Sequence, residues 1–480
     1  MKRFALIAGI AALALSFAAC PTGYVGGGAA VSPPSVFPPR PADPPGHIGD
    51  APSLGYIWAG HFPLGNIVAY QHHRRHSDIT EVLFGGGATT AQQAYNRGHL
   101  LRRHFAILTA EDEMKPDFLR PGWAPSWVWN RADNILDFAE THGMRMHGHA
   151  LAWHSQTPNW LFVYGDRNRR DEAIANLQDY IETVMRHFGP RVESWDVLNE
   201  VFQSWFGDPV NAANWRSFLR GQPGRGTSNW FSSIGSEPYP GVCFIWIAFT
   251  TARRVADEID RAAGRPVGTM ILYYNDYNEE APSKRDAIYF MVREMNQRFA
   301  AMSGNEGRLL IDAIGMQAHY HRGEVDGVVT ESYRHATHVP NVRLALERFA
   351  SLIDQGLLRY VSITELDVTV GYTGNPAGNN VNVRPPGTPL TANQEREQAI
   401  MYAQLFQIFR DNARHIRRVS FWGIDDPGSW RHRGSPHLWD GELRPKEAFW
   451  AVANPEAFLN PATREAYLAN PRDFIDDRYW

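Results

Sequence analysis

Two glutamates carry the most chemical information in this chain. Glu200 ends the run Val192-Glu-Ser-Trp-Asp-Val-Leu-Asn-Glu200, and Glu365 ends Tyr360-Val-Ser-Ile-Thr-Glu365. Each stands at the end of a short apolar segment and is followed by loop or strand residues rather than by a helical pattern. An unpaired charge is costly away from water, so an acid at the end of a buried strand is unexpected on packing grounds. Two such acids at the mouth of one barrel could meet, and paired carboxylates are what cleavage of a glycosidic bond requires.

Further polar and aromatic residues collect at the ends of other apolar runs. The segments are Thr109-Ala-Glu-Asp-Glu-Met-Lys-Pro116, His147-Gly-His-Ala-Leu-Ala-Trp-His154, Leu272-Tyr-Tyr-Asn-Asp-Tyr-Asn278, Gly315-Met-Gln-Ala-His-Tyr320, Ile363-Thr-Glu-Leu-Asp367 and Phe421-Trp-Gly-Ile-Asp-Asp-Pro-Gly-Ser-Trp430. A core explanation covers one or two of these, not all of them at the same end of successive strands.

The elements that must position them alternate. Candidate strands are residues 56–59, 104–109, 144–150, 192–198, 269–274, 311–316, 358–364 and 419–423, with helices between them. Ile174, Leu177, Ile181, Val184, Met185 and Phe188 share one helical face, with Asp171 placed to cap it and Gly189-Pro190 to stop it. Thr391-x-x-Gln394 reads as a capping box, and Gly143 as the residue just past a helix end. Eight strands alternating with helices predict a (β/α)8 TIM barrel, whose active site lies at the C-terminal strand ends. One long interruption, Phe202 to Pro240, holds Trp205, Trp215 and Trp230. It would overhang the site, either adding substrate subsites or covering apolar surface.

Taken together, these motifs resemble those of glycoside hydrolase family ten, the endo-β-1,4-xylanases. The resemblance runs from about residue 54 to about residue 455, with seven motifs in order. It implies a retaining enzyme that cuts inside β-1,4-xylan through a covalent glycosyl-enzyme. Glu200 matches the acid/base and Glu365 the nucleophile, with carboxyls expected roughly 5–5.5 Å apart. The role asks Glu200 to hold a proton near neutral pH, through burial and the other carboxylate. Asn199 matches the residue on the 2-hydroxyl of the reacting sugar. His319 matches a histidine bonded to the nucleophile, with Asp367 as its carboxylate partner and Gln317 beside it. His149, Trp153, Trp422 and Trp430 match the walls of the cleaved sugar's site, and Glu111 and Lys115 a grip on the next sugar. Asn275 reads as mainly structural, bracing the acid/base region. One departure stands out: Asp112 follows Glu111 where the family usually has Asn. A carboxylate only accepts hydrogen bonds whereas an amide also donates, so one bond to the sugar is at stake.

Three other readings compete with this one. His147-x-His149 resembles the pair of metal-dependent barrel hydrolases, but that pair usually sits on the first strand. His72, His73 and His76 lie among Arg74 and Arg75 and read as a solvated loop. A silent sugar-binding protein has no need of both glutamates. Another retaining barrel enzyme, a β-glucanase or mannanase, fits the barrel pattern, but the His149-to-Trp153 and Trp422-to-Trp430 motifs speak for xylan. The reading calls for no metal and no cofactor.

Of 480 residues, 47 are basic and 51 acidic, for a net charge of −4, which argues against a nucleic-acid partner. The 16 tryptophans suit either sugar stacking or a large core. Residues 1–20 read as an export signal: Lys2 and Arg3 precede an uncharged run from Phe4 to Ala19, too short for a comfortable membrane span. Cys20 follows at once, as in bacterial lipoprotein signals, although Phe17 stands where such signals usually carry Leu. Simple secretion and a lipid tether through Cys20 are therefore both open. Residues 21–53 are Pro- and Gly-rich and read as a linker, 54–455 as the catalytic domain and 456–480 as an extension. Cys243 lies in an apolar setting and reads as a small buried hydrophobe. The expected molecule is an exported bacterial monomer acting on xylan or xylo-oligosaccharides.

Overall fold

The computed structural model describes residues 51–69, 91–122, 126–203, 209–237, 243–325, 328–330, 336–372 and 389–480. Eight parallel strands close on themselves: β1 (Leu64–Val68), β2 (Ile107–Ala110), β3 (Arg145–Gly148), β4 (Val192–Asn199), β5 (Ile271–Asp276), β6 (Ala313–Met316), β7 (Tyr360–Tyr372) and β8 (Ile416–Phe421). Each pairs with the next, and β8 returns to β1 with Leu64 opposite Val419. A helix follows every strand: α1 (Ala91–His104), α2 (Asn130–Thr141), α3 (Arg170–Phe188), α4 (Phe244–Ala262), α5 (Pro282–Ala300), α6 (Val339–Asp354), α7 (Ala392–Asp411) and α8 (Glu447–Ala453). This is the expected (β/α)8 barrel.

The first strand lies elsewhere than the pattern suggests. Residues 56–59 fall in or next to the short helix Leu54–Trp58, where the Ser53 hydroxyl accepts the Tyr56 amide at 3.4 Å. Leu54 and Trp58, four apart, bury the same face. A short apolar run fits a strand or a helix turn equally, and here the cap decides. The true β1, Leu-Gly-Asn-Ile-Val, is fully buried yet carries two poor strand formers. Both have reasons. A Cβ on Gly65 would stand 2.4 Å from Ser420 Oγ of β8. The Asn66 amide is locked to Gly423, receiving its N–H at 3.0 Å and donating to its carbonyl at 3.1 Å.

Helix ends follow the local signals unevenly. The capping box at Thr391 forms in both directions, at 3.2 and 3.0 Å. Gly143 sits at φ +68° just past α2. Asp171 is not a cap. α3 starts at Arg170, and Asp171 and Glu172 lie in its first turn, where they favour the helix dipole.

The long segment after β4 covers apolar surface with the tryptophans described in it. Trp215 and Trp230 are fully buried, and their indoles donate to Glu294 at 2.7 Å and to the Trp153 carbonyl at 3.0 Å. Trp205 lies outside the described residues, as do 1–50 with Cys20, and the cluster His72, His73 and His76. Cys243 is buried beside α4, and burial pushes its thiol up. The tail packs on the barrel: Tyr479 accepts the Ser53 amide at 2.7 Å, and Tyr467 donates to the Trp450 carbonyl at 2.8 Å.

Candidate active site

Glu200 follows directly on β4, and its backbone holds φ +57°, a conformation unusual for a residue with a side chain. The Trp153 indole donates to Oε2 at 3.0 Å and the Gln317 amide to Oε1 at 3.1 Å. Burial raises its pKa above the ordinary carboxyl range, helped by the charges of Asp276 and then Glu365. That is the condition an acid catalyst needs.

Glu365 is buried on β7. The Asn275 amide donates to Oε1 at 2.7 Å, and His319 Nε2 lies 3.0 Å from Oε2. The other ring nitrogen of His319 is 3.0 Å from Asp367 Oδ2. Burial works against a charged imidazole, but Asp367 and Glu365 outweigh it and hold the ring's pKa up at about 9. His319 is thus an imidazolium at neutral pH and donates to both acids. Arg431 pairs with Asp367 on its other oxygen, so burial, which raises this carboxyl, is overcome and Asp367 stays below its ordinary range.

The two glutamates are joined by amides. Asn199 Oδ1 accepts from Gln317 Nε2 at 3.1 Å and from Asn275 Nδ2 at 3.1 Å. Gln317 also donates to Glu200, and Asn275 to Glu365. One continuous network therefore runs from acid to acid through β4, β5 and the end of β6.

Around this centre stand the aromatic residues. Trp422 is buried and meets His149 edge-on, with ring centres 5.3 Å apart. Trp430 is 56 % exposed, an unusually open indole, and its ring centre lies 5.3 Å from that of His319. His149 Nδ1 and His147 Nε2 lie 2.8 and 3.0 Å from the same oxygen of Asp196. His147 is further held by Ser194 at 2.8 Å and Arg418 at 3.0 Å. The histidine pair is thus spent on a buried carboxylate and its neighbours.

On the side of β2, Lys115 donates to Asp112 at 2.9 Å and to Gln156 at 2.7 Å, while Gln156 donates to Asp112 at 3.0 Å. The ammonium also stands 5.2 Å from the Trp153 ring centre. Burial alone would raise Asp112, but Lys115 and Gln156 bring it below the ordinary range. Glu111 is pushed up to about 7 by burial and by Asp112, against the pull of Lys115, with Glu365 adding to the rise.

All thirteen predicted site residues stand on a barrel strand or in the segment that follows it, with Glu365 and Asp367 within β7 and Trp430 in the loop after β8. Several participants were missed. Asn275, read as a brace, donates directly to Glu365. Gln156 and Arg431 reach the site from loops and carry no local sequence signal. Thr364 fixes Asn275, donating to its Oδ1 at 2.7 Å. Its polarity at an inward strand position was the available clue.

Residues 79–455 match the model of glycosyl hydrolase family 10. The chain is 31 % identical over 392 residues to endo-1,4-beta-xylanase A of Halalkalibacterium halodurans, covering 76 % of this chain and 83 % of that one. It is 32 % identical over 393 residues to endo-1,4-beta-xylanase A of Thermotoga neapolitana, covering 79 % of this chain but only 31 % of that protein, so it spans about a third of that relative's length. Among solved structures, xylanase B from Clostridium stercorarium F9 aligns with a TM-score of 0.61 at 28 % identity, over 84 % of this chain and all of that one. The closed barrel, the paired glutamates and these matches lead to one assignment: this chain belongs to glycosyl hydrolase family 10, a retaining family.

Proposed function

We propose that this chain hydrolyses internal β-1,4 bonds of xylan by double displacement. A Glu365 oxygen attacks the anomeric carbon while Glu200 passes its proton to the leaving oxygen, and the glycosidic bond breaks. The sugar is then an ester of Glu365. Glu200, now a carboxylate, takes a proton from water, whose oxygen attacks the same carbon and frees Glu365. Asn199 bonds the 2-hydroxyl, His319 and Asp367 hold the nucleophile, and Gln317 holds the acid. His149, Trp153, Trp422 and Trp430 wall the reacting sugar, and Glu111, Asp112 and Lys115 meet the next one. The observation that carries this reading is the contrast between the glutamates. One is pushed by burial to keep its proton, and the other accepts from an imidazolium and an amide.

The partner is xylan or xylo-oligosaccharides, and the acting unit a monomer. Residues 1–20 direct export, with either release or a lipid tether at Cys20. Residues 21–53 form the linker, 54–455 the catalytic domain and 456–480 an extension. The charge pattern of Lys2 and Arg3 before the run to Ala19 supports export.

The test is Glu365→Ala. Turnover is expected to fall to near nothing, and added azide to restore cleavage with an inverted glycosyl azide product, read by NMR of the anomeric proton. A folded variant that azide leaves silent counts against Glu365 as nucleophile.

A further inference from the structure

Behind Glu200 lies a buried ion pair that the reaction scheme does not use. Lys284 Nζ of α5 stands 2.7 Å from Asp276 Oδ1 at the end of β5, and both side chains are almost inaccessible to solvent. The ammonium also lies 3.6 Å from the Tyr277 ring centre. Removing two charges from water is expensive, and an apolar pair of similar volume would hold the fold as well, so packing alone gives no reason for them.

Two paths lead from Asp276 to the acid. The Tyr274 hydroxyl donates to Asp276 Oδ2, and its oxygen accepts the amide of Val201, the residue after Glu200, at 3.3 Å. The Asp276 carbonyl accepts the Gln317 amide at 2.9 Å, and the Gln317 side chain donates to Glu200. The neighbouring strand contributes as well, since the Glu200 amide donates to the Asn275 carbonyl at 3.0 Å. The strained backbone at φ +57° is thus clamped from one side by residues 274–276.

Other charges face the same region. Glu365 comes from β7. Arg220, from the segment after β4, donates to the Glu200 carbonyl at 3.3 Å and to the Tyr277 hydroxyl at 2.9 Å. His154, after β3, is held neutral by burial, with Arg220 and Lys284 adding. Burial pushes Glu279 and Glu280 up, both near Lys284. Among these groups, Asp276 is the carboxylate that acts most strongly on Glu200, ahead of Glu365.

We infer that Asp276 and Lys284 are positioning residues for the proton-transfer step: Asp276 fixes a negative charge behind Glu200, and Lys284 anchors that carboxylate in its buried place. The arrangement disfavours a second negative charge on Glu200 until the leaving oxygen takes its proton. The inference rests on Glu200 being the acid proposed above.

The experiment compares the wild type with Asp276→Asn and with the double variant Asp276→Asn/Lys284→Met, which leaves no lone buried ammonium. The basic limb of kcat/KM against pH on xylotetraose is expected to fall by about one pH unit in Asp276→Asn, as loss of a neighbouring like charge implies, and by less in the double variant, where the opposing ammonium goes as well. The acidic limb should stay. Carbon NMR of glutamate-labelled protein, with the Glu200 signal assigned by its loss in Glu200→Gln, reads the same shift without turnover. If the Glu200 titration moves and the kinetic limb does not, the pair acts as inferred and Glu200 is not the acid. If neither moves in variants with wild-type circular dichroism, the inference is overturned. A pair that only braced the fold would lower Tm and leave both pH readouts in place.

Discussion

Replacing His319 with glutamine tests whether an imidazolium truly holds the two acids beside it. Glutamine can bond one neighbour but carries no charge. In the folded chain the His319 pKa is held at about 9 against an ordinary 6.5, because Asp367 and Glu365 outweigh the cost of burial. A difference of that size is worth roughly 3 kcal/mol of stability by proton linkage. Its sign follows from which state keeps the proton. Below the ordinary value both folded and unfolded chains carry the charge, so the full contribution is present. Between the two values the unfolded chain has released its proton while the folded chain still holds it, so the folded state loses advantage as pH rises. Above the folded value nothing of the contribution remains. Urea unfolding followed by tryptophan fluorescence, for wild type and His319→Gln, should therefore show a stability gap that shrinks by roughly 3 kcal/mol between about pH 6 and about pH 9.5. Groups that do not interact with His319 cancel in the difference, and its two partners, Asp367 and Glu365, are carboxylates whose ordinary range lies below this window. A gap that stays flat across the window, or widens with pH, would refute a charged His319.

Three further outcomes are expected. Glu200→Gln should lose a hundredfold or more, about the worth of a general acid, on xylan and other poor leaving groups, but far less on activated aryl xylobiosides, as compared by kcat/KM; equal loss on both removes its acid role. Asp112→Asn gives the sugar a donor and releases Lys115 from its ion pair, so KM for xylotetraose should drop about fivefold, one neutral hydrogen bond's worth of about 1 kcal/mol; an unchanged or higher KM shows that the carboxylate does not limit binding. Thr391→Ala breaks the capping box of α7 and should cost about 1 kcal/mol in urea unfolding with kcat/KM intact; no change in stability means that tertiary contacts alone set that helix end.

What the sequence shows plainly is whatever its neighbours in the chain determine. Thr391 and Gln394 announce their cap because both partners lie within one turn. Glu200 and Glu365 announce themselves because an acid closing an apolar run has no packing rationale. The same local logic misleads at residues 56–59, where a short apolar run admits two periods and the Ser53 hydroxyl settles the matter. It is silent for Arg431, which reaches Asp367 from 64 positions away, and for Gln156, which reaches Asp112 from 44. Neither stands in a motif of its own, and only closure of the barrel brings them to their partners. Trp215 and Trp230 illustrate the opposite problem. An aromatic in a Gly- and Ser-rich segment suits a sugar platform or a buried plug, and only the fold distinguishes them.

The amide of Asn199 shows how such a network can prepare a bond to substrate. Its oxygen accepts from two donors, Gln317 and Asn275, each of which also serves one of the two glutamates. An amide oxygen has two lone pairs, so both are used. The orientation of the group is then fixed, because flipping it would set an NH2 against two NH2 donors. Its nitrogen is left only a long contact of 3.5 Å to Glu200 and keeps donor capacity for something else. In the proposed reaction that partner is the sugar's 2-hydroxyl, beside the carbon where positive charge develops. A donor already aimed needs no reordering when the bond tightens, so its contribution falls on the transition state rather than on the bound substrate. The same lock ties the acid to the nucleophile: a change at Asn199 removes the shared acceptor from both Gln317 and Asn275, and so disturbs Glu200 and Glu365 together.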